Sequence, residues 1–326
     1  MSLLDLSIAL DEYDHTHDVT SGRIPVEGVR LLSMTLPIEE IFYRFAKFRE
    51  FDIAELSMGK YVSLRSQGDQ SVLALPVFIS RAFRHSSIYV AENSPLRSPT
   101  ELKGARIGIP EWAQTASIYS RGMLVHEYGV PLSSVDWVQA GVNTPGRVEK
   151  VVLKLPADVR YRNAPDRSLD SMLLSGELDA ALTARPPASL GRGIRRLIPD
   201  YRPHEEAYYR KTGIYPIMHV LVMKGDVFRA HPWVAMNLYK AFSEARDRSM
   251  ARLCDVTASH APMPWLYDIS EQMRELFKGD FYPYGLEPNR PTLEAFLQYA
   301  YEQGVCHRKL EPDELFPKEV LSSVKV

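Results

Sequence analysis

Histidines and arginines at the ends of apolar runs carry the chemistry this sequence could perform. His219 sits inside an apolar run at 215–223, and His85 follows Arg81 and Arg84 just beyond another at 72–78. An imidazole titrates near neutrality, so either side chain is suited to giving or taking a proton at physiological pH. A histidine among apolar residues is equally at home as a hydrogen-bonded core residue, and the local sequence admits both readings. Arg185 stands past the run 179–183, and Arg147 lies in the loop Pro145-Gly146-Arg147. Guanidinium groups bind carboxylates through paired hydrogen bonds, so these arginines suit a small anionic ligand, although each is also an ordinary surface residue type. Arg81 and Arg84 are three residues apart and need not face the same way. Arg185 is favoured because residues just past strand carboxyl ends line the crevice of open α/β sheets, and Pro186 and Pro187 stiffen its turn. Glu111 and Thr115 lie between a strand-like and a helix-like segment. Free N–H groups there, with the Thr115 hydroxyl, suit an anion. Glu111 would repel a carboxylate, so it reads as an acceptor for a hydroxyl, a metal ligand or an acid at a helix start.

The elements that position these residues follow from periodicity. Residues 6–10, 29–34, 51–56, 72–78 and 87–90 read as strands. A helix opens at Pro37, with Ile38, Ile41, Phe42, Phe45 and Phe48 at helical spacing and Glu39 and Glu40 in its first turn. A short helix starts near Lys60. Prolines 95 and 99 then mark a boundary. A second series follows, with strands at 106–109, 135–140 and 179–183 and helices at 114–128 and 168–175. Residues 142–168 show no clear pattern beyond a strand-like 151–155. The run 215–223 and helices from Pro232 and near 265–278, 291–303 and 313–322 complete the chain. This order predicts an α/β protein of two lobes, lobe I from 1–95 plus 215–326 and lobe II from 96–214. The ligand is expected in the cleft between them.

Composition narrows the function classes. The 39 basic and 41 acidic residues give a net charge of −2, which offers no broad basic face for nucleic acid. Cys254 and Cys306 are far apart, without the spacing of a zinc site or disulfide framework. Asp14, His15 and His17 are close enough in sequence to suggest a metal, though such loop clusters commonly bind none. No stretch of about 18 apolar residues suggests a membrane span. The N-terminal MSLLDLSIAL lacks a basic start and is broken by Asp5, so a soluble cytoplasmic protein is expected. No HExxH, Walker, GxGxxG or GxSxG motif is present.

Two strings, SPTELKGARIGI at 98–109 and VLVMKGDVF at 220–228 followed by His231-Pro232, resemble type II periplasmic-binding-protein folds of the sulfonate- and thiamin-precursor-binding kind. A closer resemblance rests on Asp14, GRIPVEG at 22–28, TLPIEE at 35–40, FDIAELS at 51–57 and ISRAFRHS at 79–86. It continues through IPE at 109–111, PGR at 145–147, LTAR at 182–185 and GIYPIMH at 213–219. In this order the blocks resemble the 4,5-dihydroxyphthalate decarboxylases; His15 and Trp112 depart from the pattern. The resemblance implies loss of CO2 from 4,5-dihydroxyphthalate to give protocatechuate.

Such a reaction needs an acid at the ipso carbon, an acceptor for the para hydroxyl and cations for the second carboxylate. The resemblance therefore implies His219, or failing that His85, as proton donor and Glu111 as acceptor. Arg81, Arg84, Arg185, Arg147, Thr115, Thr35 and Asp14 are the implied substrate contacts. The ring is its own electron sink, so no cofactor is required in principle, and a divalent metal chelated by the hydroxyls is an option. The expected partner is a small aromatic dicarboxylate, with neither nucleic acid nor membrane involved; a homo-oligomer is compatible. The alternatives are a non-catalytic cytosolic protein that binds or senses an aromatic carboxylate, or a thiamin-precursor-type synthetic enzyme on the same fold.

Overall fold

In a computed structural model describing residues 3–321, the chain forms two mixed sheets flanked by helices. β1 (Leu4–Leu10), β2 (Val29–Thr35), β3 (Ile53–Ser57), β4 (Val72–Ala74) and β5 (Ser80–Arg81) enter the first sheet. β6 (Ile88–Ala91), β7 (Arg106–Ile109), β8 (Asp136–Gly141), β9 (Arg160–Ser168), β10 (Ala180–Leu182) and β11 (Ile194–Arg196) form the second. β12 (Ile217–Lys224) returns to the first. The first sheet is ordered β2-β1-β3-β12-β4, with β5 also on β12, and the second β11-β6-β10-β7-β8-β9. β1, β2 and β3 are parallel, as are β10, β7, β8 and β9. β12 runs antiparallel to β3 and β4, and β6 antiparallel to β10 and β11.

The expected α/β class and two-lobed organisation are observed, with a different first boundary. β6 was expected in lobe I, before residue 95, but its backbone pairs with β10 and β11 in the second sheet. The first crossing therefore lies between Arg81 and Ile88. The expected strand 72–78 breaks after Ala74 because Pro76 has no N–H for the ladder. The chain still follows β12, since Leu75 donates to Leu221 O and Ile79 to His219 O. Residues 151–155 are not a strand, whereas 160–168 form β9. β9 is polar and contains Pro165, which an edge position tolerates. The helices Asp14–Thr20 and Tyr201–Thr212 were not anticipated. The expected helix 313–322 is a short turn at Pro312–Glu314 followed by Lys318–Leu321; residue 322 lies outside the described residues.

One apolar core runs through both lobes, with a smaller cluster under the second sheet. The C-terminal helix Arg290–Glu302 packs on the second lobe's helix Thr115–His126. The lobes also meet closely at Gly59, in the first turn of helix Met58–Ser66. A Cβ there would lie 2.4 Å from Ala113 O and 2.9 Å from Ile118 Cδ1. Gly59→Ala should therefore push the lobes apart at that seam and cost about 1–3 kcal/mol, the usual range for overpacking. Equilibrium unfolding checks the loss of stability, and small-angle scattering should show a larger radius of gyration than wild type.

Candidate active site

The carboxyl ends of β3, β7, β8 and β10 converge between the lobes with the amino end of antiparallel β12. Residues at or just beyond those ends bound a cavity of ≈ 260 Å³: Ser57 at the end of β3 and Lys60 after it, Pro110 and Glu111 after β7, Val142 after β8 and Arg185 after β10. Met218 and His219 contribute from β12. Helices Met58–Ser66 and Thr115–His126 both begin at this cleft, so their free N–H groups favour negative charge in it. Thr115 ties the two starts together. Its hydroxyl lies 2.8 Å from Ser57 Oγ and accepts from Gly59 N at 2.9 Å.

Four cations line the cavity, Lys60, Arg84, Arg147 and Arg185, against two carboxylates, Glu39 and Glu111. Glu111 is 1% exposed and accepts from Arg147 Nε at 2.7 Å, with Lys150 Nζ at 3.5 Å and Lys60 Nζ at 3.8 Å. The expected repulsion between Glu111 and a bound carboxylate is thus offset by the cations around it. Burial lowers the pKa of Lys60, which also sits over the Phe42 ring. Arg84 donates Nη2 to Met218 Sδ at 2.6 Å and leaves Nε without a partner. Burial pulls its guanidinium down to about 10, still cationic at neutral pH. A partly buried guanidinium whose one partner is a thioether is a receptor for an incoming carboxylate.

His219 is backed by a carboxylate. Its Nδ1 lies 3.5 Å from Glu55 Oε1, its ring meets Phe42 edge-on at 5.0 Å, and its side chain is 17% exposed. Glu55 is on β3, fully buried, and accepts from Tyr13 OH at 3.3 Å. Burial and the Glu55 charge push the Tyr13 phenol up, so it stays protonated and donates. With Nδ1 turned to Glu55, Nε2 is the nitrogen left to the cleft.

The other expected residues separate in space. Arg147 and Arg185 line the cleft, and both approach Glu39, at 3.4 and 3.7 Å; Arg185 is 70% exposed. Arg81 does not line it. Its guanidinium is buried among Phe78, Tyr215 and Tyr282, bonds the carbonyls of Tyr215 and Pro283 and contacts Asn289. His85 is buried between Tyr128 and Tyr208, away from the cavity. Thr35 is exposed at the end of β2. Asp14 begins a helix, where it contacts Ser249 and Arg252. Trp112 is a core residue bonded to Gln303 O. Among the described residues no three His, Cys, Asp or Glu side chains come together as a metal cluster, so Asp14, His15 and His17 do not form one.

Sequence reading missed Lys60, Ser57, Glu39 and the pair of Tyr13 with Glu55. Glu55 and Ser57 left a signal in FDIAELS and Glu39 in TLPIEE, whereas Tyr13 and Lys60 lie outside the quoted blocks.

These features define a two-lobed binding-protein fold whose cleft pairs surplus positive charge with a carboxylate-backed histidine. Solved structures place the fold: the aliphatic sulphonate binding protein SsuA of Escherichia coli superposes with TM-score 0.54 at 14% identity, over 97% of this chain and 93% of that one. The alkanesulfonate-binding protein SsuA of Xanthomonas axonopodis pv. citri, bound to MOPS, gives TM-score 0.54 at 14% identity over 97% and 99%. No family model matches. The curated 4,5-dihydroxyphthalate decarboxylase of Comamonas testosteroni is 37% identical over 330 residues, covering 100% of both chains. That of Pseudomonas putida is 41% identical over 208 residues, 64% of this chain and 81% of its own. The chain belongs to the 4,5-dihydroxyphthalate decarboxylase family and is an aromatic acid carboxy-lyase.

Two predictions follow from the geometry. Arg84→Ala should weaken binding of an aromatic dicarboxylate by on the order of 2–5 kcal/mol, the cost of losing a desolvated charge partner. Arg185→Ala, exposed and already facing Glu39, should cost less than about 1 kcal/mol; calorimetric titration of both variants checks the order. The second concerns acid. Burial lowers both His15 and His85 from 6.5 to about 4. The unfolded chain then binds protons that the folded chain refuses, so their contribution is whole above pH 6.5 and declines as pH falls toward 4. Urea unfolding of wild type should show a lower midpoint at pH 5 than at pH 7, and His15→Gln with His85→Gln should flatten that slope.

Proposed function

We propose that this protein converts 4,5-dihydroxyphthalate, or a close ring-hydroxylated phthalate, to the monoacid by ipso protonation, 4,5-dihydroxyphthalate yielding protocatechuate. The observation that carries the reading is His219, positioned over a cleft whose lining cations outnumber its carboxylates by two. A phthalate dianion would neutralise that excess, with Arg84 as the principal anchor and Lys60, Arg147 and the two helix starts sharing the remaining charge.

The breaking C–C bond cannot leave its electron pair in an sp2 orbital without great cost. A hydroxyl para to the departing carboxylate supplies the alternative. Glu111 accepts the proton of that hydroxyl and so increases electron density at the ipso carbon. The imidazolium of His219 delivers its Nε2 proton there, forming a C–H bond and a dienone-like intermediate. The C–C bond then breaks, CO2 leaves, the electron pair of that bond restores the aromatic ring, the para oxygen takes its proton back from Glu111, and water reprotonates His219. The reaction consumes one proton per CO2 and transfers no electrons to a cofactor. The family resemblance and the convergence of these groups support the reading.

The test is purified protein with 4,5-dihydroxyphthalate, followed for CO2 and protocatechuate with and without chelator. Equal turnover in both is expected. Tight binding without turnover, with or without divalent metal, would instead support a binding protein, the role of its structural neighbours. In single-turnover measurements His219→Asn should retain binding and lose about 100-fold or more in rate, the usual size of a general-acid contribution, whereas His85→Asn should leave the rate within about threefold.

A further inference from the structure

Glu55 is the least satisfied charge-bearing group beneath the cleft. It stands in the central strand β3 opposite Leu221 of β12, with no exposed surface. Oε2 has no hydrogen-bond partner, and Oε1 has the Tyr13 hydroxyl at 3.3 Å and His219 Nδ1 at 3.5 Å. A buried carboxylate with one neutral donor is costly, and a second donor beside it offsets that cost. The contact is long for a hydrogen bond, and Nδ1 has no other partner. A small rotation of the His219 ring would close it.

We propose that Glu55 is the positioning residue for the proton donor: it holds the His219 ring with Nδ1–H toward the sheet and keeps the ring cationic until Nε2 has delivered its proton. The proposal rests on the decarboxylase reading. After transfer, the neutral imidazole keeps its Nδ1 proton against Glu55, and Nε2 is free to be recharged from water. Protons and charge therefore balance without Glu55 itself changing state. Tyr13, fixed as a donor to Oε1, leaves the outward lone pairs to His219. The other charged or titratable groups lining the cleft with His219 are Glu39, Lys60, Arg84, Glu111, Arg147 and Arg185, while Tyr282 and Asp11 lie near Glu55 and Tyr13. Lys60 and Arg84 oppose a charged imidazole, which makes the Glu55 charge more necessary. No other carboxylate lies within ion-pair distance of His219 among the described residues.

Glu55→Gln keeps shape and hydrogen-bonding capacity while removing the charge. It should fold like wild type by circular dichroism, bind the diacid within about threefold, and lose about 100-fold in single-turnover rate. The alkaline limb of its rate–pH profile should move to lower pH by about one unit, because the acid form of His219 loses its counter-charge. Glu55→Asp, which retains the charge, should recover part of the rate and return the limb toward its wild-type position. A structural role alone would lower stability or affinity and leave the limb in place, and that result would overturn the proposal. Nitrogen-15 spectra of His219 give a readout independent of turnover. Wild type should show the proton on Nδ1 in the neutral ring, and Glu55→Gln should titrate at lower pH. If wild type releases no CO2 yet these spectra behave as stated, the substrate reading fails and the pair stands. If His219 titrates alike in both proteins, the pair fails whatever the substrate.

Discussion

The arrangement of the cleft depends on one short seam where helix starts from the two lobes touch. Thr115 opens the second lobe's helix, and its hydroxyl reaches both Ser57 and the amide of Gly59. The contact requires glycine, because the backbone of Ala113 occupies the space a Cβ would take. Lys60 extends the same turn across to Glu111. With these groups within hydrogen-bond reach, two helix N-termini face one cavity, and residues from both sheets can act on one small molecule.

Charge in the cavity is arranged in layers. Glu111 gathers three cations, so its own negative charge no longer dominates that wall. Arg84 has only a thioether partner and is the guanidinium most available to a ligand. Glu39 stands opposite Arg147 and Arg185 at the mouth, where solvent weakens both interactions. Beneath the floor, Glu55 faces His219 from a fully buried position. The same type of charge pair is therefore weak at the rim and consequential at the floor, because the dielectric response differs between them.

Fold likeness and family membership say different things about this chain. Structural neighbours at 14% identity share the two-lobed frame, and a frame that encloses anions serves binding and catalysis equally well. The present cleft sets an imidazole, that of His219, against a buried carboxylate. Binding an anion needs only cations; moving a proton onto carbon also needs a group whose charge is maintained inside the site.

The apolar runs, their periods and the blocks around them determined the α/β class, the two lobes, the return through β12 and the family. Each of these depends on local pattern or on side chains a few residues apart. Glu111, Arg84, Arg185 and Thr115 were legible as candidates because they follow strand-like segments or open helices, His219 because it interrupts an apolar run, and Arg147 through the block at 145–147. Tertiary structure decided among them. Arg81 and Arg84 differ by three residues, yet one packs into an aromatic cage and the other reaches the cavity, since direction after a strand end is set by what packs there. His85 and His219 sit in similar apolar sequence, but only one has a carboxylate opposite it. β6 joined the second sheet because its hydrogen bonds go to β10 and β11, and a strand's own residues do not encode which edge it will meet. Glu55 and Tyr13 are 42 residues apart, and their meeting with His219 exists only once β3 and β12 pair in register.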